Sequence, residues 1–181
     1  MVRKRRIDIP QTDRRSSLNH LKYNLEGVWH NLSKKFETEL PEDYAELKKE
    51  ANYTSSWRDR LDAVNQLSKY NHPKVIDLLT NRMENDTVYK VQDAAYRALT
   101  AFGEDVQQPK RQKFDIIKGT DKILIRVKKS LPADHAFEEF AEKLKRMRID
   151  VYDAYEGHKG DEFKAWLEEK WASLQINKTR K

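Results

Sequence analysis

The chain has 181 residues, 38% hydrophobic and 36% charged, with a formal net charge of +6. That length suits one domain, or one domain with an appendage, and the apolar share supports a modest core. Cysteine is absent, which removes disulfides, thiolate metal sites and cysteine nucleophiles together and fits a reducing compartment.

No apolar run approaches the roughly 20 residues that span a bilayer. The basic start is not followed by the apolar segment of a secretory signal. The expectation is a cytoplasmic protein without a membrane partner.

Residues 1–16 carry Arg3, Lys4, Arg5, Arg6, Arg14 and Arg15 and almost no large apolar side chains. Such a stretch cannot bury enough surface to offset the entropy of ordering, so it reads as a disordered basic arm. From Ser17 onward, Leu18, Leu21, Leu25, Val28, Trp29, Leu32 and Phe36 recur at helical spacing. They predict a helix whose Lys34 and Lys35 suit the negative end of its dipole. Leu40, Tyr44, Leu47 and Ala51 mark another, entered through Pro41.

Three helices are predicted between Trp57 and Gly103. Ser56 is a candidate cap for the first, with Asp59 as its reciprocal partner and Trp57, Leu61, Val64 and Leu67 along one face. Pro73 opens the second, where its missing N–H costs nothing, and Val75, Ile76, Leu79 and Met83 form the apolar face. Asn85 and Asp86 break the chain. Asp86 then caps a third helix with Val88, Val91, Ala95, Ala98 and Phe102 inward, and Gly103 stands where a left-handed residue ends it.

In these residues the segment resembles a HEAT-like repeat of the bilin-lyase type. The resemblance rests on Trp57, Arg58, Arg60, Ala63 and Leu67, then Pro73, Val75 and Leu79, then Asn85-Asp86, Val91, Ala94-Ala95, Ala98-Leu99 and Gly103. It covers about residues 54–103, a repeat plus the first helix of the next, and departs at Gln92, where an Arg is usual. It implies a helical-repeat domain over residues 17–103 that binds a macromolecule, most simply a protein.

Beyond Gly103 the pattern changes. Residues 104–121 read as a basic connector with a first strand over 114–118. Ile123, Ile125 and Val127 then alternate with Leu124, Arg126 and Lys128, which predicts a hairpin around Gly119. Ala136 to Met147 reads as a helix, Ile149 to Tyr155 as a strand, and Phe163 to Leu174 as a final helix begun by Asp161. The fold class expected is therefore α+β, mainly α: a short helical stack capped by a small ββαβα unit over 122–176, with a basic tail at 177–181. Arrays of fewer than about three repeats need such a cap.

Net charge divides unevenly: residues 1–22 hold seven Lys/Arg against two Asp/Glu, whereas 132–174 hold seven against eleven. Tails and connector are basic, and the folded parts neutral or acidic. The His residues show no metal-type pairing, and no phosphate loop or nucleophile motif occurs. Asp150, Asp153, Glu156, His158 and Asp161 could offer oxygen and imidazole ligands to a cation, but on a strand Asp150 and Asp153 point to opposite faces. A solvated strand end is the simpler account. Trp166 and Trp171 fit core packing better than base stacking.

The expected protein is a non-enzymatic scaffold without cofactor or metal. Its partner surface is expected at Arg58, Asp62, Gln66 and Lys69 with Lys90, Asp93 and Arg97. The alternative is a nucleic-acid-binding accessory protein. It would use Arg3, Lys4, Arg5, Arg6, Arg14 and Arg15 of the arm and Lys122, Arg126, Lys128 and Lys129 of the hairpin.

Overall fold

A computed structural model describes residues 36–111 and 115–174. The helix expected from Ser17, the Arg and Lys residues of the basic arm and the tail at 177–181 lie outside the described residues. What is described is all-α.

Helix α1 (Tyr44–Ala51) pairs with α2 (Trp57–Leu67), and α3 (Pro73–Asn85) pairs with α4 (Tyr89–Phe102). The two hairpins lie side by side through α2 and α4, and the Tyr44 hydroxyl of α1 donates to the Lys74 carbonyl of α3 at 3.1 Å. The chain ahead of α1 joins this stack through a parallel bridge between Glu37 and Tyr70.

The helix ends follow local chemistry. Ser56 Oγ accepts the Asp59 amide at 3.3 Å, Pro73 is the first residue of α3, and Gly103 leaves α4 at φ 95°. Asp86 Oδ1 accepts the Val88 amide at 2.9 Å and so serves the start of α4. A first apolar cluster, including Leu47, Val64, Leu67, Val75, Leu79, Val91 and Leu99, fills the space between the hairpins.

The predicted ββαβα unit is overturned: no strand occurs among the described residues, and the same stretch is helical. Residues 116–119 are bend and turn rather than strand, and the supposed hairpin is helix α5 (Thr120–Lys129). Its buried residues are Thr120, Leu124 and Val127, spaced four and three apart, so the period that decides is the helical one. The β-preference of Ile123, Ile125 and Val127 is weak and context-dependent, and packing overrides it. Gly119, at φ 80°, is the residue before the helix and not the tip of a turn between strands.

Helix α6 (Phe137–Met147) follows, and Ile149 to Tyr155, read as a strand, belongs to α7 (Ile149–Lys159). This helix is buried on two sides: Val151 and Tyr155 enter a second apolar cluster, while Asp153 and Gly157 face the first hairpins. A helix covered on both sides has no single apolar stripe, and over a few residues its pattern imitates alternation. A 3₁₀ turn at Gly160–Glu162 leads into α8 (Phe163–Ser173). The second cluster joins Leu124, Phe137, Phe140, Leu144, Phe163 and Leu167. Trp166 stacks on Tyr155 with centroids 4.5 Å apart, and Trp171 donates its indole N–H to His135 at 2.9 Å.

Leu79 is fully buried, whereas Leu61 is only partly covered at the edge of the first cluster. Leu79→Ala is expected to cost about 2–5 kcal/mol and Leu61→Ala distinctly less. Chemical denaturation of the two variants checks the ordering.

A candidate binding groove where the two clusters meet

Helix α7 crosses the N-terminal ends of α2 and α4, and its sequence permits a close approach there. A Cβ at Gly157 would lie 2.6 Å from Val88 Cγ1 and 3.0 Å from the Trp57 ring, so only glycine fits without displacement. The contact is reinforced by charge. Asp153 accepts the backbone N–H of Trp57, the first residue of α2, and its carboxylate sits at the positive end of that helix.

Arg60, 3% exposed, closes the arrangement. Its guanidinium donates to Asp86 Oδ2 at 2.8 Å and Oδ1 at 3.1 Å, to Asp153 Oδ2 at 2.8 Å and to the Tyr53 carbonyl at 2.9 Å. Arg82 stands 3.6 Å from Asp86 as a second cation. Burial pushes the Asp153 carboxyl above its usual range, and the bond from Arg60 and the Trp57 amide pull it back down. Two carboxylates that serve helix N-termini are thus held by one arginine shared between the α2–α4 hairpins and α7.

Beside this junction opens a groove of about 500 Å³. Phe137, Ala141, Tyr152, Phe163 and Leu167 supply its apolar lining, with Trp57 at one wall. The rim has both signs, with Arg58, Lys90 and Lys164 opposite Glu138, Glu142 and Glu156. Glu156 Oε2 takes the Arg58 guanidinium at 2.7 Å and the Trp57 indole N–H at 3.2 Å. Arg58 and Lys90 lie over the Trp57 ring, 4.6 and 4.9 Å from its centroid. Burial, and after it the Glu156 carboxylate, push the Tyr152 phenol above its usual range.

Of the residues expected to carry a partner surface, Arg58 and Lys90 are brought together at this groove. Asp62 and Gln66 on α2 and Lys69 just beyond its end are exposed but do not line it. Asp93 and Arg97 form an ion pair on α4 at 2.6 Å, also outside it. Sequence reasoning missed Tyr152 and considered Glu156 only as a cation ligand, not as part of a partner surface. The signal was Gly157, whose missing side chain leaves room for Val88 and Trp57 against α7.

Three of the four carboxylates considered as cation ligands have other partners: Asp150 pairs with Arg148 at 2.7 Å, Asp153 with Arg60 and Glu156 with Arg58. Lys122, Arg126 and Lys129 lie four and three apart on an exposed side of α5, a basic helix stripe rather than a hairpin face. Lys128 is turned away from solvent. Its ammonium donates to the Trp171 carbonyl and, at 3.0 Å, to that of Leu174, closing the C-terminus of α8. Lys128→Ala is expected to cost about 1 kcal/mol or somewhat more by uncovering those carbonyls. Lys122→Ala should leave thermal unfolding unchanged.

Among the described residues no helix is long and apolar enough to cross a membrane. Compared with protein-family models, with curated proteins and with solved structures, the chain finds no match in any of the three.

Proposed function

We propose that the protein is a non-enzymatic scaffold that binds a protein partner through the groove lined by α2, α4, α6, α7 and α8. The observation that carries this reading is the groove itself: an apolar floor of about 500 Å³ edged by charges of both signs. An amphipathic helix or extended peptide with one or two apolar anchors suits that shape, since anchors seek the dry floor while rim charges set register. The pairing of α1 with α2 and α3 with α4, with α2 beside α4, supports the HEAT-like reading of residues 54–103, in which paired helices present a shared surface.

The test is affinity purification with and without nuclease, using the wild type and Ala141→Arg, which fills the floor from α6. A protein partner that survives nuclease and is lost with Ala141→Arg supports the reading. Unchanged capture by a variant with unaltered thermal unfolding removes the groove from consideration.

A second reading, nucleic-acid binding, rests on Lys122, Arg126 and Lys129 along α5. It expects capture that nuclease abolishes and affinity falling log-linearly with salt, with a slope made shallower by about one for each of these residues replaced by Ala.

A further inference from the structure

A second cavity of about 500 Å³ adjoins the groove and shares Lys90, Gly160 and Asp161 with it. Its walls are Tyr89 and Lys90 at the start of α4, Arg111 from the connector, and the turn from Gly157 to Glu162. Three cationic residues line it, and each lies over an aromatic ring. Lys90 lies 4.9 Å from the Trp57 centroid, Arg111 4.7 Å from that of Tyr89, and Lys159 5.6 Å from that of Trp166.

A ring face orients a cationic head group while leaving its charge unneutralised. None of the three forms an ion pair with a described carboxylate, although Asp161 and Glu162 border the same cavity. Gly160 turns the backbone at φ 58°, a conformation that favours glycine, beside the Lys90 ammonium.

We propose that this cavity binds the phosphate group of a phosphate monoester. Arg111 supplies a planar fork of donors suited to two phosphate oxygens, and Lys90 and Lys159 supply compact charges in the same cavity. His158, also on the wall, registers the same field: burial, then Lys159 and Arg111, push its imidazole below the usual range. The site stands apart from whatever occupies the groove, because it rests on different side chains except Lys90, Gly160 and Asp161.

The test titrates the full chain with O-phosphoserine and with adenosine monophosphate at fixed ionic strength. Serine and adenosine are the neutral counterparts. Tryptophan fluorescence reports on Trp57 and Trp166, and the His158 ring resonance reports on local charge. Saturable binding of either phosphate, without response to its neutral counterpart, is expected; the phosphate compound that binds tighter names the source as a side chain or a nucleotide.

The His158 pKa should rise on saturation, since a bound dianion favours the imidazolium. Arg111→Gln and Lys159→Gln should each weaken binding about tenfold, the scale of a lost charge-assisted hydrogen bond, and Lys122→Gln should not. Absence of saturation, an equal response to serine and adenosine, or full affinity in both Gln variants overturns the proposal.

Discussion

Replacing Arg60 with Ala is expected to lower the free energy of unfolding by about 3–5 kcal/mol, read from urea titration. Removing one member of a buried ionic group leaves its partners charged and dry, which costs more than the group contributes when intact. Here Asp153 loses its cation outright, and Asp86 keeps only Arg82 at 3.6 Å. The deficit should depend on pH in a defined direction. Asp153 already stands above its usual range in the native protein, and losing Arg60 raises it further.

A folded-state pKa above the unfolded value of about 3.9 means that stability is lost as pH rises through the folded value and regained as it falls. The gap between Arg60→Ala and wild type should therefore narrow on acidification from neutral pH toward about 4. A gap that stays constant or widens would show that the cost lies in lost packing and not in stranded charge. Combining Arg60→Leu with Asp153→Asn should recover part of the loss, because the apolar and neutral pair no longer buries an uncompensated anion beside α2.

Gly157→Ala is the second large effect. The added Cβ at 2.6 Å from Val88 must push α7 away from α4, and overpacking of this kind costs about 1–3 kcal/mol. Separation of the helices also wets the Trp57 ring, so its emission should shift to the red in the native state. Val88→Ala removes the colliding methyls. In combination with Gly157→Ala it should cost less than the two single changes added together. Strict additivity would mean that α7 had room to accept a methyl group after all.

The stretch from Trp57 to Gly103 was legible in the sequence because its helices are one-sided and carry their own punctuation: Ser56, Pro73, Asp86 and Gly103 mark ends by local chemistry alone. The second half was misread as α/β for a reason that lies outside any local window. In α5 the buried trio Thr120, Leu124 and Val127 is interleaved with partly buried Ile123 and Ile125. Only knowing that α6 covers it on one side separates a helix from an alternating strand. In α7 both sides are covered, and the burial of a charged residue, Asp153, hid its inward face.

The site was half legible. Arg58 and Lys90 follow from helix position, but Tyr152 and Glu156 meet them only through a contact between residues almost a hundred positions apart. Lys128 illustrates the opposite case: a basic residue in a basic run that is spent inside the molecule, on the end of α8.

Arg60 also determines where this chain can be cut. A fragment ending at Gly103 retains every fully buried apolar side chain of the first cluster and loses only partly buried Val106, so by hydrophobic area it resembles a free-standing unit. Yet it lacks Asp153, the anion that receives the first amide of α2 and balances the guanidinium, so Arg60 would keep a single carboxylate and the Trp57 amide would lose its acceptor, with only Ser56 left to cap α2. The boundary suggested by the apolar clusters is not a thermodynamic one, and the excised fragment should melt well below the intact chain. Because the Gly157 contact with Val88 and Trp57 and the ionic group around Arg60 both cross that boundary, the first half draws part of its stability from the second.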